Sequence, residues 1–211
     1  LILARTGDKQ HGLFVIHKDD PGISFGKLES KMGVRGSPTA DVILEDCFIP
    51  ANRVVGDATL GYSNIMASLG TSRPLVAAQG LAIEQWALDE AISYTREREQ
   101  FDQPLSRFQM VQCMIADMTL KVEAARAMLY RAVEIMERHP AKARGFASMA
   151  KLICTDAAMS VTTDSVQLHG GYGYLREYPV ERMMRDAKVT QIYEGTNQIQ
   201  RLLIAKHAYG K

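Results

Sequence analysis

The chain has 211 residues, of which 46% are hydrophobic and 23% are charged, and its 25 basic and 24 acidic residues give a formal net charge of +1. This length allows one large core or two modest domains, and the composition is that of an ordinary globular protein. The even charge balance gives no electrostatic reason to expect nucleic acid or an anionic membrane as a partner. No apolar run approaches the roughly 18 residues of a membrane span, and no targeting segment is recognisable. Because the chain starts at Leu1, inside an apolar stretch, we expect it to be part of a longer protein.

The first 60 residues have the pattern of short strands. Apolar runs at residues 1–4, 12–17 and 41–48 are bounded by Gly, Pro and Asp, which mark turns. Leu13 and Val15 alternate with other residues, as in half-buried antiparallel strands. Pro50 and Gly56 end this region. We therefore predict a partial antiparallel β domain in residues 1–56.

From about Gly61 the apolar residues recur every three or four positions, which is the period of a helix. Such stripes cover residues 81–92, 108–136, 146–160 and 199–203, and Pro74 is expected to start or kink the first long helix. Each apolar stripe must be buried, and three or four such helices can bury one another. The predicted fold class is α+β, with an up-down four-helix-type bundle in residues 57–211.

The three cysteines, Cys47, Cys113 and Cys154, are far apart and form no CxxC pair. Their odd number and wide spacing predict reduced thiols instead of a disulfide framework. Reduced thiols favour an intracellular, reducing compartment.

Two segments at helix ends allow a structural or a functional interpretation. Glu194 lies just before the last helix, for which Thr196 is a plausible N-cap, and an acid there would complement the helix dipole. Arg96 and Arg98 follow the first long helix, where cations also complement the dipole. The functional alternative for the two arginines is a phosphate clamp, because guanidinium binds phosphate through two parallel hydrogen bonds.

Two further segments are typical of helix caps. Ser106 and Gln109 have the spacing of a capping box. The glycines after His169 indicate a helix C-cap and a tight loop, and their GGxG pattern departs from a dinucleotide-binding fingerprint. His169 has no partner at metal-ligand spacing, so we predict no metal site.

Together and in this order, these segments resemble the acyl-CoA dehydrogenase family over essentially the whole chain. The most specific motifs are Met184-Arg185-Asp186-Ala187-Lys188, Ile192-Tyr193-Glu194-Gly195-Thr196 and Gln198-Ile199-Gln200-Arg201. The Gly-Gly-Tyr-Gly loop, Glu177-Tyr178-Pro179, Arg73-Pro74 and residues 31–50 agree with it. The resemblance implies the later part of a middle β domain followed by a C-terminal helical domain, with an N-terminal helical domain missing from this chain.

The resemblance also implies roles for individual residues. Glu194 would be the catalytic base, Tyr193 and Gly195 would line the thioester pocket, and Arg73 would support coenzyme A binding and the wall of the site. FAD-binding roles fall on Arg98, Gln100, Phe101, Gln109, Gln167, Gly170, Gly171, Thr196 and Gln198. Of these, Thr196 and Gln198 would contact the FAD of the same subunit, and the others would reach the FAD of a neighbouring subunit.

The implied reaction is the α,β-dehydrogenation of an acyl-CoA thioester to a trans-2-enoyl-CoA. Glu194 would take the α-proton, its backbone N–H would stabilise the thioester oxygen, and hydride would pass to flavin N5. The implied partners are the acyl-CoA substrate, an electron-transfer flavoprotein as acceptor, and further copies of the chain in a dimer of dimers.

Two positions depart from the family pattern. Some relatives carry the base immediately before the arginine that aligns with Arg73, but this chain has Ser72 there, which leaves Glu194 as the base. Many relatives have an acid three residues before that arginine, where this chain has Gly70, so contact with coenzyme A at that point is in doubt. An acyl-CoA oxidase that uses oxygen and a non-catalytic helical assembly subunit remain as alternatives.

Overall fold

The computed structural model describes residues 1–210, which form two compact units. The first unit comprises Leu1–Lys31 and Arg35–Leu69, and the second comprises Met32–Val34 and the chain from Gly70 onward. The division at residues 56 and 57 stays a prediction for the domain boundary.

The first unit contains two antiparallel strand pairs. Strand β1 (Ile2–Gly7) pairs with β2 (Gln10–Phe14), and β3 (Ile23–Phe25) pairs with β4 (Val42–Leu44). Leu13 of β2 is buried, with 4% of its surface exposed. The strand-like pattern of the sequence therefore produces real antiparallel pairing, although β3 was not predicted.

The second unit consists mainly of helices. Helix α1 (Gly61–Glu97) enters it at Gly70 and contains Pro74, and it is followed by α2 (Gln109–Arg138), α3 (Pro140–His169), α4 (Val180–Thr190) and α5 (Asn197–Ala208). A short hairpin of β5 (Glu99–Gln100) and β6 (Gln103–Pro104) connects α1 to α2. The predicted fold class, a small antiparallel β part followed by a helical bundle, is confirmed.

One core joins the first four helices. Its buried members include Leu81 and Leu88 of α1, Val122 of α2, Val161 of α3 and Met183 of α4. Helices α2 and α3 are joined by His139 alone, and Pro140 occupies the first turn of α3, where its missing N–H costs nothing.

The predicted capping box at the start of α2 is wrong. Residues Leu105–Arg107 form a 3-10 turn, and the N-cap of α2 is Phe108, whose side chain makes no capping hydrogen bond. The α-helical backbone starts at Gln109, too late for Ser106 to be its N-cap. The Ser106 carbonyl instead accepts a hydrogen bond of 2.9 Å from Nε2 of Gln112.

The Met-Arg-Asp-Ala-Lys motif holds a distant piece of backbone against α4. The Asp186 carboxylate accepts a hydrogen bond of 2.6 Å from the Val34 amide, and Arg185 donates one of 2.7 Å to the Met32 carbonyl. A Cβ atom at Gly33 would lie 2.5 Å from the Arg185 carbonyl oxygen, so only glycine fits between them. Much of this family motif therefore has a structural explanation.

The bundle core contains a buried carboxyl group, that of Glu84, without a hydrogen-bond partner among residues 1–210. Glu84 of α1 is 0% exposed, and neither of its oxygens has a hydrogen-bond partner among residues 1–210. Burial raises the pKa of this carboxyl to about 9, against a smaller opposing effect of Arg126. Glu84 is thus protonated at neutral pH.

Within the described part of the chain, no helix is both long and apolar enough to cross a membrane.

Candidate active site

The 191–197 loop, which comprises the connection between α4 and α5 and the first residue of α5, has an unusual backbone. Glu194 has a φ of 55° and Gly195 a φ of 89°. A left-handed conformation is easy for glycine but costs a glutamate about 1–2 kcal/mol. Such strain persists only where the surroundings impose it, and it is concentrated at functional sites.

The Glu194 side chain is half-buried and faces α1. Its Oε2 accepts a hydrogen bond of 2.7 Å from the Ser72 hydroxyl. The phenolic hydroxyl of the neighbouring Tyr193 donates a hydrogen bond to Oε1 of Gln79, which lies further along α1. Burial raises the pKa of Tyr193, so this phenol is neutral and can donate. Two consecutive side chains of the loop are therefore held by α1.

Two buried cations lie close to the Glu194 carboxylate. Arg73 is 2% exposed, and its Nε and Nη1 have no hydrogen-bond partner within residues 1–210. Burial lowers the pKa of Arg73, Arg144 lowers it further, and Glu194 opposes both. Lys151 of α3 is 0% exposed, and its pKa falls to about 8, first through burial. The Glu194 carboxylate therefore lies near two buried basic side chains, Arg73 and Lys151.

The backbone carbonyls of the loop are also satisfied locally. Nε2 of Gln200, in the first turn of α5, donates to the Gly195 carbonyl at 2.8 Å and to the Glu194 carbonyl at 3.4 Å. Thr196 is the N-cap of α5, as predicted, and its hydroxyl accepts a hydrogen bond of 3.4 Å from the Ile199 amide.

A separate cavity lies at the C-terminal end of α3. Its volume is about 420 Å³, and it brings together Arg98, Gln167, Gly170 and Gly171, four of the residues predicted to bind FAD. The Arg98 guanidinium lies 5.6 Å above the Tyr172 ring, which also lines the cavity. One charged side chain and two exposed glycines thus line a common space.

The two glycines at this cavity fit a ligand that approaches the backbone closely. Gly170 has φ 59° and ψ −137°, a conformation that essentially only glycine adopts. At Gly171 an added Cβ would meet nothing within 4 Å, so packing within the chain does not require glycine there. Open backbone beside an arginine suits a phosphate-bearing group such as the pyrophosphate of FAD.

His169, at the same end of α3, has a structural role. It is 3% exposed, stacks on Tyr94 with ring centroids 4.1 Å apart, and places Nδ1 2.8 Å from the Ser165 carbonyl oxygen. Burial lowers its pKa, so the ring is neutral. Within residues 1–210, no group of three or more His, Cys, Asp or Glu side chains could hold a metal ion.

The β5–β6 hairpin presents a strained aromatic residue. Its two turn residues, Phe101 and Asp102, have φ values of 55° and 61°, and the Phe101 side chain is 86% exposed. Turns with two positive φ angles favour Asn-Gly over a bulky residue. An exposed phenylalanine that is kept in this conformation is a candidate binding residue.

The predicted site residues thus fall into separate groups. Glu194, Tyr193, Gly195 and Arg73 lie together, and Thr196 and Gln198 line a small cavity of about 240 Å³ beside the loop. Gln100 and Phe101 lie in the exposed hairpin, and Gln109 is the exposed first residue of α2. The sequence interpretation missed Ser72 as a partner of Glu194, and it missed Lys151, Asn197 and Gln200. Lys151 lies on a face of α3 with Ser148 and Thr155, and no pattern in the sequence indicated that this lysine is buried.

The fold and these motifs define the C-terminal domain of a flavin-dependent dehydrogenase family. The family model described as "Acyl-CoA dehydrogenase, C-terminal domain" matches residues 60–209, and the chain belongs to the acyl-CoA dehydrogenase family. That family is flavin-dependent.

Individual relatives agree with this assignment. The chain is 49% identical over 193 residues to a probable acyl-CoA dehydrogenase of Mycobacterium tuberculosis, which covers 92% of this chain and 50% of that protein. It is 46% identical over 208 residues to cyclohexane-1-carbonyl-CoA dehydrogenase of Geobacter metallireducens, with 97% of this chain and 54% of that protein covered. The structure of butyryl-CoA dehydrogenase from Megasphaera elsdenii matches with a TM-score of 0.94 and 40% identity, covering 98% of this chain and 55% of that one. The chain therefore spans about half the length of the curated relatives it matches.

Proposed function

We propose that the protein containing this chain catalyses the FAD-dependent α,β-dehydrogenation of an acyl-CoA thioester, with Glu194 as the base. The observation that carries the proposal is the Glu194 carboxylate itself, held half-buried by Ser72 in a strained turn. A weakly acidic α-proton needs a carboxylate within hydrogen-bond reach, and a fixed carboxylate loses little entropy when it reacts.

The residues of this chain account for the proton step. Glu194 takes the α-proton, and its backbone N–H donates to the thioester oxygen as negative charge develops there. The nearby Glu194 carboxylate raises the pKa of both Arg73 and Lys151 by Coulomb attraction, against the larger effect of their burial. Bound FAD would supply the redox chemistry by accepting the hydride that leaves the β-carbon.

Substrate contacts in this proposal fall on Tyr193 and Gly195, which flank the base. Arg73 supports the wall of the site and its electrostatics, since its buried guanidinium leaves little surface for direct contact with coenzyme A. Product leaves as a trans-2-enoyl-CoA, and an electron-transfer flavoprotein is the proposed electron acceptor.

FAD would lie between subunits in this proposal. Arg98, Gln100, Phe101, Gln109, Gln167, Gly170 and Gly171 would reach the cofactor of a neighbouring subunit, and Thr196 and Gln198 that of their own. The proposed homo-oligomer, a dimer of dimers, rests on the family resemblance. The three cysteines form no disulfide, which supports a reducing location, the bacterial cytoplasm or the mitochondrial matrix.

The proposal is tested by Glu194→Gln in the complete protein that carries this sequence. We expect FAD content and acyl-CoA binding to be retained, while substrate-induced bleaching of the flavin slows by about 100-fold or more. Glu137→Gln, an exposed substitution on α2, is the control and should leave the rate unchanged. A rate in Glu194→Gln close to that of the wild type would contradict the assignment.

A further inference from the structure

A buried polar cluster on α3 fastens both ends of the 191–197 loop. Lys151 is fully buried, and its Nζ donates a hydrogen bond of 2.6 Å to Oδ1 of Asn197. Burying an ammonium group is costly unless it is paired and hydrogen-bonded. The helical bundle alone gives no reason for a lysine at this position, because an apolar residue would fill the same space without that cost.

Asn197 connects the lysine to the loop. It is 3% exposed, and its Nδ2 donates to Oγ1 of Thr155 at 2.8 Å and to Oδ1 of Asp156 at 2.7 Å. Its backbone amide donates to the Gln191 carbonyl at 3.0 Å, which closes the loop on itself. Every polar atom of the Asn197 side chain is therefore bonded to α3.

The other end of the loop reaches the same carboxylate. Nε2 of Gln191 donates to Oδ1 of Asp156 at 2.8 Å, and Arg201 donates to Oδ2 of Asp156 at 2.8 Å. The first and last residues of the loop are thus tied to one acid on α3. Between them lie the two residues with positive φ, Glu194 and Gly195.

We propose that Lys151, Asn197 and Asp156 form an anchor that positions the Glu194 carboxylate by holding the 191–197 loop in its strained conformation. This inference rests on the proposed function of Glu194. Lys151 and Asn197 are buried beneath the loop, so they are positioning residues and not catalytic ones. Loss of the anchor lets the strained turn relax, which moves the carboxylate away from its place beside Ser72.

A displacement of the base by about 1 Å can cost on the order of 100-fold in rate. We therefore expect Lys151→Met and Asn197→Ala to lower kcat by about 10- to 100-fold while KM changes by less than about threefold. A substitution that merely loosened the fold would instead reduce the amount of active protein and leave the kcat of the folded fraction unchanged.

The experiment has two arms. In the complete protein that carries this sequence, amide hydrogen exchange of residues 192–196 is compared with that of the α3 core in the wild type, Lys151→Met, Asn197→Ala and the control Lys142→Met, an exposed residue of α3. We expect the loop amides to exchange at least about tenfold faster in both anchor variants and unchanged in the control. In the complete protein, kcat and KM are measured for the same variants.

Loop amides that exchange at the wild-type rate in both anchor variants would overturn the proposal, and so would faster exchange combined with an unchanged kcat. If Lys151→Met does not fold, the same measurements on Asn197→Ala and Gln191→Ala test the proposal. Neither of these substitutions changes the number of buried charges. The two proposals can fail separately. If the wild-type protein dehydrogenates no acyl-CoA, the proposed function is contradicted. If the loop amides of the variants still exchange faster in that case, the anchoring of the loop remains supported.

Discussion

The Ser72 hydroxyl donates a hydrogen bond of 2.7 Å to the Glu194 carboxylate across 122 positions of sequence. In the proposed mechanism, Ser72 of α1 orients a base that comes from the loop before α5. Ser72 of the helix and Glu194 of the loop would therefore act together in the proposed proton step. The hydrogen bond fixes the carboxylate on the α1 side, while Lys151 and Asn197 fix the loop from the α3 side.

Ser72→Ala should lower kcat about tenfold, because a hydrogen bond to a charged group contributes roughly 1.5–3 kcal/mol. Flavin bleaching by acyl-CoA measures the rate. The matched control is Ser93→Ala on the same helix, where an exposed serine bonds Glu97 at 3.4 Å. Equal rates in the two variants would show that the Ser72 hydroxyl does not orient the base.

Glu84→Leu should stabilise the chain increasingly as pH rises from 5 to 8. The folded-state pKa of Glu84 is about 9, above its ordinary value of 4.5, so the folded state keeps a proton that the unfolded state releases in this window. Wild-type stability therefore falls with rising pH, by at most about 1.4 kcal/mol per pH unit from this group. The variant lacks that slope.

Urea unfolding of the 211-residue chain at pH 5, 6.5 and 8 measures this difference. Glu97→Leu, an exposed substitution at the end of the same helix, is the control and should show no such trend. A constant difference between Glu84→Leu and the wild type at all three pH values would contradict a protonated Glu84.

Gly171→Ala should weaken FAD binding about tenfold or more without lowering the melting temperature of the FAD-free protein. The added methyl group meets nothing within 4 Å in this chain, so it can clash only with a bound molecule. Gly36→Ala, at another glycine with open surroundings, should change neither property. Flavin fluorescence on dilution of the complete protein reports FAD release, and normal FAD retention in Gly171→Ala would remove Gly171 from the proposed site.

Phe101→Gly should stabilise the fold by up to about 1 kcal/mol and yet reduce FAD retention. Glycine relieves the left-handed strain at this position, although its greater freedom in the unfolded chain offsets part of the gain. Asp102→Gly is the matched control, because it relieves strain in the same turn but keeps the aromatic ring. If both variants retain FAD equally, Phe101 does not contact the cofactor.

Much of the architecture follows from the sequence. Apolar alternation around Leu13 predicted paired strands, and the three-and-four spacing of apolar residues predicted the helices, because each pattern requires one face to be buried. Thr196 as the N-cap of α5 also followed, since capping is decided within a few residues. The start of α2 did not follow: the Ser106 and Gln109 spacing permits a capping box, but the backbone there forms a 3-10 turn instead.

The sequence by itself determined which family the chain resembles, which glutamate is the candidate base and how the helices alternate with short strands. Tertiary structure alone decided that Ser72 meets Glu194, that Lys151 lies beneath the 191–197 loop and that Glu84 is buried without a partner. Periodicity shows which face of a helix is buried, but not which residues of another helix it meets. Those contacts join residues dozens of positions apart, and only packing of the whole bundle brings them together.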